Sequence, residues 1–307
     1  MPDHADAAPV AATGALEPAP HAPGAAAGGD HGRVGPAIHA PGGDSARDDR
    51  GPAPRASAAD PPLLSVVVPV RNEAPNIAPL VAEIRAALAG VAHEIVYVDD
   101  GSTDGTPAAL RAVAVPGEGG AAPLRHLRHR ASCGQSAAIV TGVKAARGAW
   151  IATLDGDGQN DPADIPRLLE RARREMAAGG GAILVAGHRV TRRDTWVKRR
   201  SSRIANAVRS RLLGDATPDT GCGLKVFPRA LFLDLPHFDH MHRFLPALVL
   251  RQGGRVVSEP VNHRPRTRGA SNYGTLDRLV VSLFDLVGVA WLQRRWRRPV
   301  VVADPEA

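Results

Sequence analysis

From Leu63 onward, short apolar runs alternate with polar loops and with apolar positions at helical spacing. Leu64-Ser65-Val66-Val67-Val68-Pro69-Val70 is a β-branched run that reads as a buried strand, and Glu94-Ile95-Val96-Tyr97-Val98 reads as a second. Between them Leu80, Ile84 and Leu88 recur at helical spacing until Gly90 ends the pattern. Helical spacing resumes at Ala109, Leu110 and Val113, and again in a small-residue helix from Ala137 to Ala146, opened by Gly134-Gln135-Ser136 and closed by Gly148. Two further runs, Ala149 to Leu154 and Ala182 to Gly187, read as strands, with a helix starting at Asp161-Pro162 between them. Strand, polar loop, helix and strand again is the grammar of an α/β fold with a parallel sheet and crossover helices.

Ligands of such sheets bind beyond the carboxyl ends of the strands. The polar clusters around Glu73, Asp100 and Asp155 all fall there, and His188-Arg189 ends the last strand. The sharpest is Asp155-Gly156-Asp157-Gly158-Gln159. In extended backbone positions i and i+2 point the same way, so Asp155 and Asp157 are expected to converge, with Gly156 leaving the backbone open to a ligand. Two carboxylates so placed repel unless a cation or a proton sits between them. Together with the Gln159 amide oxygen they suit a hard divalent ion, Mg²⁺ or Mn²⁺. A plain acidic turn is the bland reading. A calcium loop would need a bidentate Glu at its twelfth position, where Pro166 stands.

Composition adds limits. Residues 1–62 are mostly Ala, Pro, Gly, Asp, His and Arg, with too little apolar bulk to offset chain entropy, and are expected to be a disordered low-complexity tail. No apolar core follows a basic start there, so the segment is not read as a signal peptide. Cys133 and Cys222 read as free thiols. The net charge of +7 concentrates late: residues 189–211 carry nine Lys/Arg against Asp194 alone. That excess favours anionic partners, phosphates or a lipid surface. Nucleic acid is not expected as a partner, with eleven aromatics in all and no reader motif.

Residues 276–307 read as an apolar helix and a basic tail. Leu279 to Leu292 is nearly continuous apolar sequence, about 20 Å long at the helical rise and short of the roughly 30 Å hydrocarbon layer. Asp285 lies near its middle, and Arg294-Arg295-Trp296-Arg297-Arg298 follows. This pattern suits an interfacial anchor on anionic headgroups, with a core helix or a homo-oligomer contact as the alternative.

The ordered set Val-Pro-x-Arg-Asn-Glu (from Val68), Val-Asp-Asp-Gly-Ser-x-Asp-Gly-Thr (from Val98) and Asp-Gly-Asp-Gly-Gln (from Asp155) resembles a family 2 glycosyltransferase with the GT-A fold. Asp219-Thr220-Gly221-Cys222-Gly223-Leu224-Lys225, Met241-His242-Arg243-Phe244-Leu245-Pro246 and Arg266 to Tyr273 resemble the branch that includes dolichol-phosphate mannosyltransferase and bacterial polyprenyl-phosphate glycosyltransferases. The resemblance covers about Leu64 to Arg295, and implies a GT-A domain over residues 63–275. It departs at Ser271-Asn272-Tyr273, where the branch often has a lysine after the serine; its absence removes a phosphate contact.

The resemblance implies that Pro69, Arg71, Glu73, Val98 and Asp100 line the nucleoside pocket of a sugar-nucleotide donor, GDP-mannose or a UDP-sugar. Asp155, Gly156, Asp157 and Gln159 would hold the metal and diphosphate, and Arg189, Arg200, Arg203, Arg266 and Arg268 would meet phosphate oxygens. Arginine suits that task because its planar fork grips phosphate in a bidentate way. The expected activity is metal-dependent, inverting hexosyl transfer to a polyprenyl phosphate, by an enzyme on the cytoplasmic face of the plasma membrane. A saccharide hydroxyl as acceptor would need a carboxylate base, for which Asp219 is the candidate. A haloacid-dehalogenase-type phosphatase also places Asp-x-Asp after a strand, but usually at the start of its fold. A non-catalytic nucleotide-binding protein is the remaining rival.

Overall fold

The computed structural model describes residues 61–114, 123–179, 181–190, 208–265 and 275–297, with the main chain alone for 275–282. Residues 1–60 of the expected tail lie outside these residues, as do Arg200, Arg203, Arg266 and Arg268.

The strands are β1 (Leu64–Val70), β2 (His93–Asp99), β3 (Leu124–Arg128), β4 (Trp150–Thr153), β5 (Ile183–Arg189), β6 (Lys225–Pro228) and β7 (Arg255–Val261). They form one sheet in the order β3-β2-β1-β4-β6-β5-β7. All pairs are parallel except those of β6, which runs against both β4 and β5. The helices are α1 (Ala74–Ala87), α2 (Thr106–Val113), α3 (Gln135–Ala145), α4 (Ile165–Gly179), α5 (208–213), α6 (Arg229–Leu233), α7 (Leu245–Arg251) and α8 (Thr275–Arg294).

Alternation along β1 explains the two-sided core. Val66, Val68 and Val70 face α1 and α4, where they pack with Ile77, Leu80, Ile84, Ile165 and Leu168. Val67 faces the other way, against Ala138, Ile139 and Val143 of α3. A strand covered on both faces has no polar side to show, hence the unbroken valines. The second face is closed further by Phe232 of α6, Leu245 and Leu248 of α7, and Val289 and Ala290 of α8. Register sets Val70 beside Asp99, and Val67 beside Thr153. The loops after β1, β2, β4 and β5 therefore open at one edge of the sheet, where the site lies.

Candidate active site

The loop after β1 and the loop after β2 are stitched together by main-chain donors. Asn72 N–H donates to Ser102 Oγ and Glu73 N–H to Thr106 Oγ1, both at 2.9 Å, while Thr103 N–H donates to Asn72 Oδ1 at 2.8 Å. Asn72 accepts a left-handed backbone (φ 56°) to make this turn. Glu73 receives Asn76 Nδ2 at 2.6 Å, and Arg71 is exposed. Pro69 lines a cavity of about 410 Å³ beside Asp155.

Two residues expected in the nucleoside pocket have other surroundings. Val98 pairs with Pro69 across the sheet, and its side chain is fully buried in the core beneath α3. It can offer a ligand only main chain. Asp100, also buried, spends its carboxylate on the segment before α3. It accepts from Ser132 Oγ at 2.7 Å, Cys133 N–H at 2.8 Å and Gly134 N–H at 2.9 Å, and contacts His129 Nδ1 at 2.8 Å. Burial alone would raise its pKa, but these bonds outweigh burial and leave it below the usual carboxylate range. Asp100, His129 and Cys133 are also the three-ligand cluster found among the described residues. With both oxygens of Asp100 engaged by protein donors, that cluster is a loop fastener.

The Asp155 turn differs from the expected extended geometry. β4 ends at Thr153, and Gly156 and Asp157 lie in a turn. Asp155 N–H donates to Asn160 Oδ1 at 3.3 Å and Gln159 N–H to Asp157 Oδ1 at 3.1 Å, so local bonds, not strand alternation, bring the carboxylates together. Gly156 is needed for a reason other than ligand access. A β-carbon there would stand 2.2 Å from Val70 Cγ1 and 3.1 Å from the Pro69 carbonyl. Gln159 turns its amide nitrogen to the Arg264 carbonyl at 3.4 Å.

Asp155 is the electrostatic centre. Its pKa is pushed up to about 6, first by burial and then by the charge of Asp157; Lys225, Arg189 and the hydrogen bond from Gln135 Nε2 (2.9 Å) pull the other way without cancelling this. A carboxylate whose ionisation its neighbour Asp157 makes more costly, with the Gln159 amide close in the same turn, fits a hard divalent cation. Arg189 is fixed by Asp219: Nε donates to Oδ2 at 2.6 Å and Nη2 to Oδ1 at 2.8 Å.

Sequence reasoning missed several members of this site. Gln135, the first residue of α3, reaches Asp155. Lys225, on β6, is buried and donates to the Cys222 carbonyl. The helix α7 starts at Leu245. His242 lies in the preceding 3-10 turn (Met241–Arg243), lines the cavity and sits 2.8 Å from Ser136 Oγ. Burial, helped by the nearby cations, lowers its pKa to about 3, so it is neutral.

Comparison with known proteins agrees with this geometry. Residues 65–235 match the family described as Glycosyl transferase family 2. Over 242 residues the chain is 37% identical to the dodecaprenyl-phosphate galacturonate synthase of Rhizobium johnstonii, covering 77% of this chain and 69% of that protein. It is 36% identical over 228 residues to the undecaprenyl-phosphate 4-deoxy-4-formamido-L-arabinose transferase of Edwardsiella ictaluri, covering 73% of this chain and 67% of that one. Among solved structures it resembles glucosyl-3-phosphoglycerate synthase from Mycobacterium tuberculosis in complex with Mn²⁺, UDP-glucose and glycerol 3-phosphate (TM-score 0.52, 20% identity, 76% of this chain and 80% of that one). The complex of that enzyme with Mg²⁺ and UDP gives a TM-score of 0.54 at 19% identity, covering 76% and 79%. At such identity the structural likeness speaks for the fold, which is GT-A. The chain belongs to glycosyl transferase family 2 and is a glycosyltransferase.

Proposed function

We propose that this enzyme transfers a hexose, with inversion, from a nucleotide-sugar donor to a polyprenyl phosphate. The observation that carries the chemistry is half-buried Asp155, flanked by Asp157 and by the Arg189–Asp219 pair, at the carboxyl edge of the sheet. The acceptor reading is supported by the relatives, whose names carry dodecaprenyl and undecaprenyl phosphate. Asp155, Asp157 and Gln159 would hold Mg²⁺ or Mn²⁺, which when bound offsets negative charge on the leaving nucleoside diphosphate.

The chain's own residues supply the rest. Gln135 fixes one oxygen of Asp155, and the backbone of Gly223 packs against its carboxylate. Arg189 spends two of its five N–H donors on Asp219, which leaves three to meet phosphate oxygens. Pro69, Arg71 and Glu73 would receive the nucleoside, on loops whose shape Asp100 maintains. An oxygen of the lipid phosphate attacks the anomeric carbon as its bond to the diphosphate breaks. That oxygen is already anionic, so no strong base has to take a proton. A saccharide hydroxyl would need one, and Asp219 is poorly placed for the task while both its oxygens hold Arg189.

The lipid acceptor gives α8 a role. Leu283, Phe284, Val287 and Trp291 are exposed along it, and Arg294, Arg295 and Arg297 follow. Among the described residues no helix is long and apolar enough to cross a membrane. An apolar stripe next to arginines suits the plane of an anionic cytoplasmic leaflet. The test is a panel of nucleotide sugars with polyprenyl phosphate and Mn²⁺. One donor should give a lipid-linked sugar, EDTA should stop transfer, and Mg²⁺ or Mn²⁺ should restore it. Full activity in EDTA would remove the metal from the scheme.

A further inference from the structure

The cavity beside Asp155 contains a cation that the transfer scheme leaves without a task. Lys225 lines it at 3% exposure. An ammonium carries three N–H donors, and among the described residues the acceptor found for Lys225 Nζ is the Cys222 carbonyl. The carboxylates within its electrostatic reach are Asp155 and Asp219. Each is shared with another donor: Asp155 Oδ1 accepts from Gln135 at 2.9 Å, and both oxygens of Asp219 accept from Arg189. Arg243 lines the same cavity, and neutral His242 adds no negative charge to it. An ammonium is costly to bury with so few partners. The cavity, at about 410 Å³, is of the size that takes small molecules.

We propose that Lys225, together with Arg243, forms an anion subsite in this cavity that receives a negatively charged oxygen group of a substrate. The group is either the carboxylate of a nucleotide-linked hexuronate or the phosphate of the acceptor. The proposal rests on the reading of this chain as a sugar transferase acting on a lipid phosphate. The competing role for Lys225 is structural, a counter-ion that steadies Asp155 and Asp219. The two roles part on one property: only if Lys225 belongs to a substrate subsite does the protein's preference for charge on its ligand depend on the Lys225 cation.

Direct binding to the intact protein, measured by titration calorimetry, separates them without any transfer taking place. Two matched pairs are used: UDP-glucuronate against UDP-glucose, and farnesyl phosphate against farnesol. Wild type should hold the anionic member of at least one pair tenfold or more tightly than its neutral partner. Lys225→Met should level that pair while leaving the affinity for the neutral member unchanged, and Lys225→Arg should keep the preference. Levelling of the first pair assigns the subsite to the donor; levelling of the second assigns it to the acceptor. A wild type with no preference in either pair overturns the subsite, whether or not Lys225→Met folds. So does a folded Lys225→Met that keeps the preference. Because only binding is measured, the outcome does not depend on whether polyprenyl phosphate is the acceptor.

Discussion

A β-carbon at Gly223 would stand 2.2 Å from Asp155 Oδ2, 2.3 Å from its Cγ and 2.4 Å from Oδ1. That is roughly 1 Å inside an ordinary van der Waals contact. In Gly223→Ala something must yield, and the yielding group is the end of a side chain beside an open cavity, not a strand. Asp155 should swing by about 1 Å and lose its bond to Gln135, at a stability cost of about 1–2 kcal/mol. Displacement of that size at a catalytic group costs on the order of 100-fold in rate, or about 2.7 kcal/mol of transition-state stabilisation. Gly156→Ala is the contrasting variant. Its β-carbon would meet Val70 Cγ1 at 2.2 Å inside the core, so it should lose fold stability by about 3 kcal/mol or more. Transfer kinetics and thermal unfolding of both variants check this. A Gly223→Ala enzyme with wild-type kcat, or one that has lost its unfolding transition, refutes the steric account.

Asp100→Asn should cost about 3 kcal/mol, because a buried carboxylate loses its charge and the donors of Ser132 and Gly134 face an amide nitrogen; an unchanged melting temperature contradicts this. Both Asp100 and Glu94 have lowered pKa values. For Glu94, burial works against ionisation, but Ser65 Oγ (2.7 Å) and the Arg147 N–H (2.6 Å) outweigh it. Their stabilisation is complete above the unfolded values of about 4 and is lost as pH falls through the lowered folded values. The melting temperature should therefore drop below about pH 4, and Asp100→Asn should flatten part of that drop. Replacing Arg294, Arg295 and Arg297 by Ser should weaken co-sedimentation with anionic vesicles, each arginine being worth about 1 kcal/mol near the surface; equal binding defeats the role given to α8. Deleting residues 1–60 should leave thermal unfolding and transfer intact, and an insoluble product would show the tail to be structural.

β1, β2, β4 and β5 were legible in the sequence because strands buried on both faces must be apolar throughout. β3 and β7 were not, since they are the edges of the sheet. Leu124-Arg125-His126-Leu127-Arg128 is half exposed, and β7 is exposed or only partly covered from Arg255 to Pro260, with Glu259 among those positions. β6 is four residues long and begins with a lysine, which hides it from any apolar count. The acidic turn was legible because strand ends are where such sheets bind ligands. The duties of its neighbours were not. Asp100 serves a segment about thirty residues later, and Gly156 answers to Val70, so each role exists only after the chain has folded. Gln135 and Lys225 announce no role by themselves, although Lys225 closes the Asp219–Lys225 stretch; they matter because α3 and β6 begin beside Asp155.

The central claim is best tested by acceptor choice. Purified enzyme, Mn²⁺ and the donor it accepts are given undecaprenyl phosphate, undecaprenol or a soluble saccharide, and labelled sugar is followed into the lipid and aqueous phases. Label should enter the lipid phase with undecaprenyl phosphate alone, and Asp157→Ala should abolish it while unfolding at the wild-type temperature. Preferred transfer to the saccharide, or equal transfer to undecaprenol, would contradict the phosphate as nucleophile and return Asp219 to the role of base.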